Sequence, residues 1–225
     1  MNAAVLLTIS ISFAVINNLL LHDSKNKGFR GIGDVLLFNA MVSIIWIIGL
    51  LVLNKGVRIS SSAWVWGGIY GSVMSAFLLC KMQALATGPV SITSFIGCSS
   101  LLLSTGFGII YFNEHISVIQ VIGVVFLLVA LFLTIFKTTQ SAPSDGKPEK
   151  TWPIWSALFF ACSATTGIIF KLHQSSPVHN EVNQMMLAAA VTSTVLFLIS
   201  SLIVQSRTDK TMPRIAPTAW MSVIA

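Results

Sequence analysis

The sequence alternates between long apolar runs and short polar segments, and the length of these runs limits the folds that it can adopt. A helix rises 1.5 Å per residue, so about twenty residues cross a hydrocarbon core roughly 30 Å thick. Transmembrane strands are about ten residues long and alternate polar with apolar side chains, which these runs do not. The sequence therefore predicts an all-α, polytopic helical membrane protein. The seven predicted spans are 3–21, 35–53, 63–86, 90–112, 116–136, 152–170 and 184–204.

The composition predicts the same class of protein. Hydrophobic residues make up 55% of the chain and charged residues 9%, with a mean hydropathy of +0.85, which is too much apolar surface for a soluble globule. The net charge of +6 lies almost wholly between spans, and no basic patch with interleaved aromatic residues indicates nucleic acid. The first run has no basic leader or cleavage pattern, and Asn17 and Asn18 interrupt its end, so we interpret it as a span.

A polar segment and weak internal sequence similarity suggest a repeat. Residues 137–151, KTTQSAPSDGKPEKT, have the composition of a linker. Residues 35–43 align without gaps to 184–192, and residues 63–70 align to 219–225. We therefore predict a first five-helix repeat over 1–136, a linker over 137–151 and an incomplete second repeat over 152–225. Residues 219–225 would begin the third helix of that second repeat, so we expect a C-terminally truncated chain.

The fourth span carries small and hydroxylated residues along one half of its circumference. At 100° per residue, the following fall on that half: Ser91, Thr93, Ser94, Gly97, Cys98, Ser100, Ser104, Thr105 and Gly108. Such residues are ordinary material for contacts between membrane helices. A continuous polar face also suits the wall of a cavity. Both interpretations stay open on the sequence alone.

The third span contains an ionisable residue, Lys81. Its spacing places it on one face with Gly67 and Gly71, a pair through which helices could approach closely. A lysine stem can snorkel from here to the interface near Gly88, but a charge inside a span more strongly indicates substrate binding or gating. Spans three and four meet at the Gly88-Pro89 turn, so we expect an antiparallel hairpin sharing one cavity. The predicted substrate path comprises Lys81, Asn17, Asn18, Ser91, Ser94, Cys98 and Thr105.

Two stretches carry a resemblance to a known family. ALATGPVSITSFI at 84–96, followed by IIYFNEHISVIQVIGVVFLLVALFL at 109–133, resembles the end of the EamA-like repeat of the drug/metabolite transporter superfamily. The family's motif positions correspond here to Gly88, Pro89, Val90, Asn113, Glu114, Gln120, Ile122 and Gly123. We expect structural roles for the motif residues Gly88, Pro89, Glu114, Gln120 and Gly123.

The resemblance implies a ten-helix carrier built from two five-helix units, the second inverted, that works by alternating access around a central cavity. It predicts a secondary transporter of small metabolites or drug-like solutes in the cell membrane, as a multi-pass protein of a bacterial inner or plasma membrane. Its expected partners are a small-molecule substrate and the lipid bilayer, with a homodimer as an open alternative. No nucleic acid, cofactor or metal is expected.

Two other classes of protein are alternatives to a carrier. A seven-helix receptor or signalling protein is suggested only by the number of spans. An intramembrane enzyme would need paired carboxylates, a metal cluster or a nucleophile with its base, and the Asp, Glu and His residues all fall at span ends or between spans. The chain also has no phosphate-binding loop for ATP, so we expect no enzyme activity.

Coupling and orientation are less well determined by the sequence. No Asp, Glu or His is central in a span, which favours facilitated diffusion, exchange, or coupling through a residue outside this chain. The distribution of Lys and Arg between spans places the N-terminus outside, whereas the family resemblance implies cytoplasmic termini. Cysteine accessibility in the linker distinguishes these orientations.

Overall fold

The computed structural model describes residues 32–53, 59–113, 117–140 and 149–208, which are helical apart from short connections. The helices are α1 (Ile32–Leu53), α2 (Ser61–Thr87), α3 (Val90–Phe112), α4 (Val118–Gln140), α5 (Trp152–Gln174) and α6 (Val182–Thr208), with a 3-10 turn at His179–Glu181 before α6. No strand occurs within these ranges. The predicted all-α class is confirmed.

Five of the described helices are long and apolar enough to cross a membrane. The apolar stretches are Val35–Val52, Ser61–Thr87, Ile92–Phe112, Trp152–Gln174 and His179–Val204, and α4 contributes a shorter one at Val118–Ala130. The chain is therefore a multi-pass helical membrane protein. The predicted second to seventh spans correspond to α1 to α6, although residue 116 of the fifth span lies outside the described residues and Ser117 precedes α4. The predicted first span, 3–21, also lies outside the described residues.

Local sequence signals account for several helix ends. The hydroxyl of Ser60 accepts from the backbone N–H of Ala63 at 3.1 Å and caps the start of α2. Ser117 and Gln120 form a capping box at the start of α4, in which the Gln120 side chain accepts from the Ser117 N–H at 2.9 Å. Asn113 ends α3 with a φ of 51°, a left-handed conformation that asparagine tolerates better than most residues.

The boundaries of the predicted linker and repeats differ from the observed elements. Helix α4 continues to Gln140, so the first four residues of the predicted linker are helical. By contacts, the described residues divide into two compact units: those within 32–42 and 197–208, and those within 43–196. The second unit thus contains helices from both sides of the linker. The division into a five-helix repeat and an inverted partial copy stays a prediction.

In the first unit, α1 and α6 lie in contact. The Val204 Cγ1 atom is 3.8 Å from the position that a Cβ would take on Gly33. Asn39 is buried and donates from its side-chain amide to the carbonyl of Val35 at 2.8 Å. The side-chain N–H of Asn39 thus has a hydrogen-bond acceptor within its own helix, and a buried amide in a span requires such a partner.

Helix α5 is the centre of the second unit. It packs antiparallel to α2, where Phe159 contacts Phe77 with ring centroids 5.3 Å apart. It packs parallel to α3, where a Cβ on Gly97 would lie 2.6 Å from Cζ of Phe159. Helices α2 and α3 were expected to form an antiparallel hairpin that shares one cavity, and that shared cavity stays a prediction. The two helices meet at the Gly88-Pro89 turn, but each contacts α5 far more than it contacts the other.

The glycine pair of α2 packs against α6. A Cβ on Gly67 would lie 2.5 Å from the Ala188 Cβ, and a Cβ on Gly71 would lie 2.5 Å from the carbonyl oxygen of Ala189. The Ser193 hydroxyl donates to the Gly71 carbonyl at 3.0 Å. The spacing correctly indicated a close helix approach, but the partner depends on the tertiary arrangement.

Candidate functional site

The polar half of α3 divides into two stripes with different surroundings. Thr93, Gly97, Ser100 and Ser104 form the packing stripe, which faces α5. Ser94, Cys98 and Thr105 form the open stripe, about 100° further around the same helix. The helix-contact interpretation therefore holds for the packing stripe, and the cavity interpretation stays a prediction for the open stripe.

The packing stripe is bonded to α5 along its length. Thr93 accepts from the Trp152 indole N–H at 3.0 Å, and the hydroxyls of Ser100 and Ser163 are 2.6 Å apart. Further along, Ser104 donates to the carbonyl of Ala164 at 3.2 Å. Thr93 is 0% exposed and Ser100 is 2% exposed. These hydroxyls hold two helices together in the manner of polar groups in membrane bundles.

The open stripe makes no comparable contact. Cys98 is exposed, and Ser94 and Thr105 are half-buried. Within the described ranges, no side-chain hydrogen bond joins these three residues to another helix. Ser91 lies in the first turn of α3, but its side chain is outside the described set. Hydroxyl and thiol groups are thus presented by α3 on a side where α5 does not cover them.

Lys81 lies beside this open stripe. It is half-buried on α2, which contacts α3, and its ammonium group would attract the Cys98 side chain of α3 once that thiol had lost its proton. Among the described side chains, no carboxylate forms an ion pair with it. An ammonium group in a membrane span needs a partner or water, so an uncompensated Lys81 is suited to bind an anionic or carbonyl group.

The other predicted path and motif residues have separate surroundings. Asn17, Asn18 and Glu114 lie outside the described residues. Gly88 has the Trp152 indole against it, where any Cβ would collide with the ring. The Gln120 amide belongs to the capping box of α4, and Gly123 faces open space.

A second polar cluster, which the sequence reasoning missed, lies at the start of α2. The Glu181 carboxylate accepts from the hydroxyls of Ser60 and Ser62, the latter at 2.7 Å. The Ser60 backbone N–H donates to the Gln184 side chain at 3.1 Å. His173 is fully buried nearby. The serines at the start of α2 predict a helix cap from the sequence. The burial of His173 depends on packing and could not be predicted in this way.

Comparison with known proteins adds no family to this description: no protein-family model and no curated protein matches the chain.

Proposed function

We propose that this chain belongs to a secondary carrier of the EamA-like type, which moves small metabolites or drug-like solutes across a cell membrane by alternating access. The observation that carries the proposal is the open stripe of α3 beside Lys81. The motifs at 84–96 and 109–133 support the same family. A bacterial inner or plasma membrane is the proposed location, and the inverted repeat is part of the proposal.

The chemistry of the stripe suggests the class of solute. Lys81 supplies a positive charge and three N–H donors, while the hydroxyls of Ser94 and Thr105 can donate or accept. A small molecule with a carboxylate or carbonyl group would satisfy the lysine, and its other polar groups would meet the hydroxyls. Charge-assisted hydrogen bonds of this kind are roughly twice as strong as neutral ones.

The packing arrangement supports a moving part beside this site. Helices α2 and α3 are joined at the Gly88-Pro89 turn, and α2 also packs on α5 and α6 while α3 is bonded to α5. A small tilt of α2 together with α6 relative to α3 would change access to Lys81 without breaking the hydrogen bonds between α3 and α5. Alternating access requires such a change in exposure around a fixed binding group.

Transport by the purified protein in proteoliposomes tests the proposal. We expect counterflow of at least one of four radiolabelled probes, namely pyruvate, succinate, aspartate and alanine, above the rate in protein-free liposomes. Each probe carries a carboxylate for Lys81, and counterflow requires no external energy source.

The control solute is choline, a cation without a carboxylate, which is expected to give no counterflow. If monodisperse protein moves none of the four carboxylates, a carrier for such solutes is wrong, and the receptor alternative gains support.

A further inference from the structure

His173 is buried without the hydrogen bonds that a histidine normally makes. It lies in the last turn of α5 and is 0% exposed, and neither ring nitrogen has a hydrogen-bond partner among the described residues. A neutral imidazole carries one donor and one acceptor. Leaving such a buried group unsatisfied destabilises the folded protein. An apolar side chain of similar size would avoid this cost, so the histidine needs a reason other than packing.

The groups around His173 come from three elements. From α2, the Trp66 indole meets the imidazole edge to face, with ring centroids 5.7 Å apart and planes at 80°. From the 3-10 turn before α6, Glu181 and His179 interact with it electrostatically. On α5 itself, Lys171 is the other basic residue of the last turn. A carboxylate and an aromatic ring are therefore both placed to interact with a charged imidazole.

Glu181 is held in place by the start of α2. Its Oε2 atom accepts from the hydroxyls of Ser60 and Ser62, and both hydrogen bonds come from the N-terminal end of the helix. The positive end of a helix dipole favours a negative charge at this position. The carboxylate thus remains a preformed counter-ion next to a buried base.

We propose that His173 is a proton-binding site and that Glu181 is its counter-ion. A proton from water adds to the free ring nitrogen, the imidazole becomes an imidazolium, and the carboxylate keeps its charge. The imidazolium then has two N–H donors in place of one, so it draws the Glu181 carboxylate toward itself. Because that carboxylate also holds Ser60 and Ser62, protonation weakens the link between the 3-10 turn and α2.

The indole of Trp66 provides a direct readout that does not depend on transport. A charged imidazolium quenches a contacting indole, so tryptophan fluorescence of the purified protein should fall as the pH is lowered from 8 to 4. His173→Gln should remove this change. Glu181→Gln should keep the change but move its midpoint to lower pH by about one unit, since the counter-ion is lost.

Matched variants separate this site from its neighbours. His179→Gln removes the exposed histidine of the 3-10 turn and should keep the quenching, as should Trp64→Phe on the exposed side of α2. Trp66→Phe leaves His173 intact and should abolish the signal, so the test stands even if His173→Gln fails to fold. An unchanged fluorescence in the wild-type protein, or quenching that survives Trp66→Phe, would overturn the proposal.

Discussion

Replacing Gly71 with leucine is expected to abolish the stably folded protein, because α2 and α6 touch through their backbones at this point. A Cβ on Gly71 would lie 2.5 Å from the Ala189 carbonyl oxygen and 3.0 Å from its Cα, and a rigid helix cannot yield there as a side chain can. The variant also strains the hydrogen bond from Ser193. Inserting even a few extra atoms into a packed core costs about 1–3 kcal/mol, and a leucine side chain should exceed that range.

Unfolding followed with a thiol-reactive dye measures this effect in a background with Cys98 and Cys162 replaced by alanine, because the buried Cys80 then becomes reactive only when the bundle opens. Gly68→Leu is the matched control, since Gly68 has nothing within 4 Å of its Cβ position. We expect Gly68→Leu to melt within a few degrees of the wild-type protein. Equal melting of the Gly71 and Gly68 variants would refute the close packing of α2 on α6.

The second large effect is expected from Lys81→Met, which keeps the length of the side chain and removes its charge. If Lys81 binds the carboxylate of the solute, the variant loses a charge-assisted hydrogen bond worth about 1.5–3 kcal/mol. This corresponds to a fall in counterflow rate of roughly 10-fold to 150-fold at subsaturating solute. Initial rates in proteoliposomes, normalised to the amount of reconstituted protein, provide the measurement.

Lys150→Met makes the same chemical change on an exposed lysine just before α5 and should transport like the wild-type protein. Normal transport by Lys81→Met, at normal yield, would identify Lys81 as an interfacial anchor and remove its proposed role. A loss of folded protein in Lys81→Met alone would instead assign the lysine to the stability of the bundle.

The existence of the helices could be predicted from the sequence, because the hydrocarbon core requires each crossing segment to be long, apolar and internally hydrogen-bonded. Serine and glutamine at 117 and 120 likewise predict a helix start from local chemistry alone. The helix partners could not be predicted in the same way. The Gly67 and Gly71 spacing indicates a close approach, but many apolar helices present a surface that such a pair could accept.

Which residues of the candidate site are covered by a neighbouring helix could not be predicted from the sequence either. Periodicity placed Ser94 and Ser100 on one polar half of α3, yet α5 covers only Ser100, through the hydroxyl of Ser163. Which stripe is covered depends on Phe159 entering the space beside Gly97. The burial of His173 is similarly a product of its contact with Trp66, which no local pattern shows.

The central claim is that the open stripe of α3 lines a water-filled solute path. The most direct test is the reaction of Cys98 with a hydrophilic, membrane-impermeant thiol reagent in proteoliposomes, with Cys80 and Cys162 replaced by alanine. The comparison residue is a cysteine at the exposed position Leu103, introduced with Cys98 also replaced by alanine. We predict that Cys98 reacts at least about ten times faster than Leu103→Cys, since thiolates form readily only in water, and that a transported solute slows the reaction. Equally slow reaction at both positions would place Cys98 in lipid and contradict the proposed path.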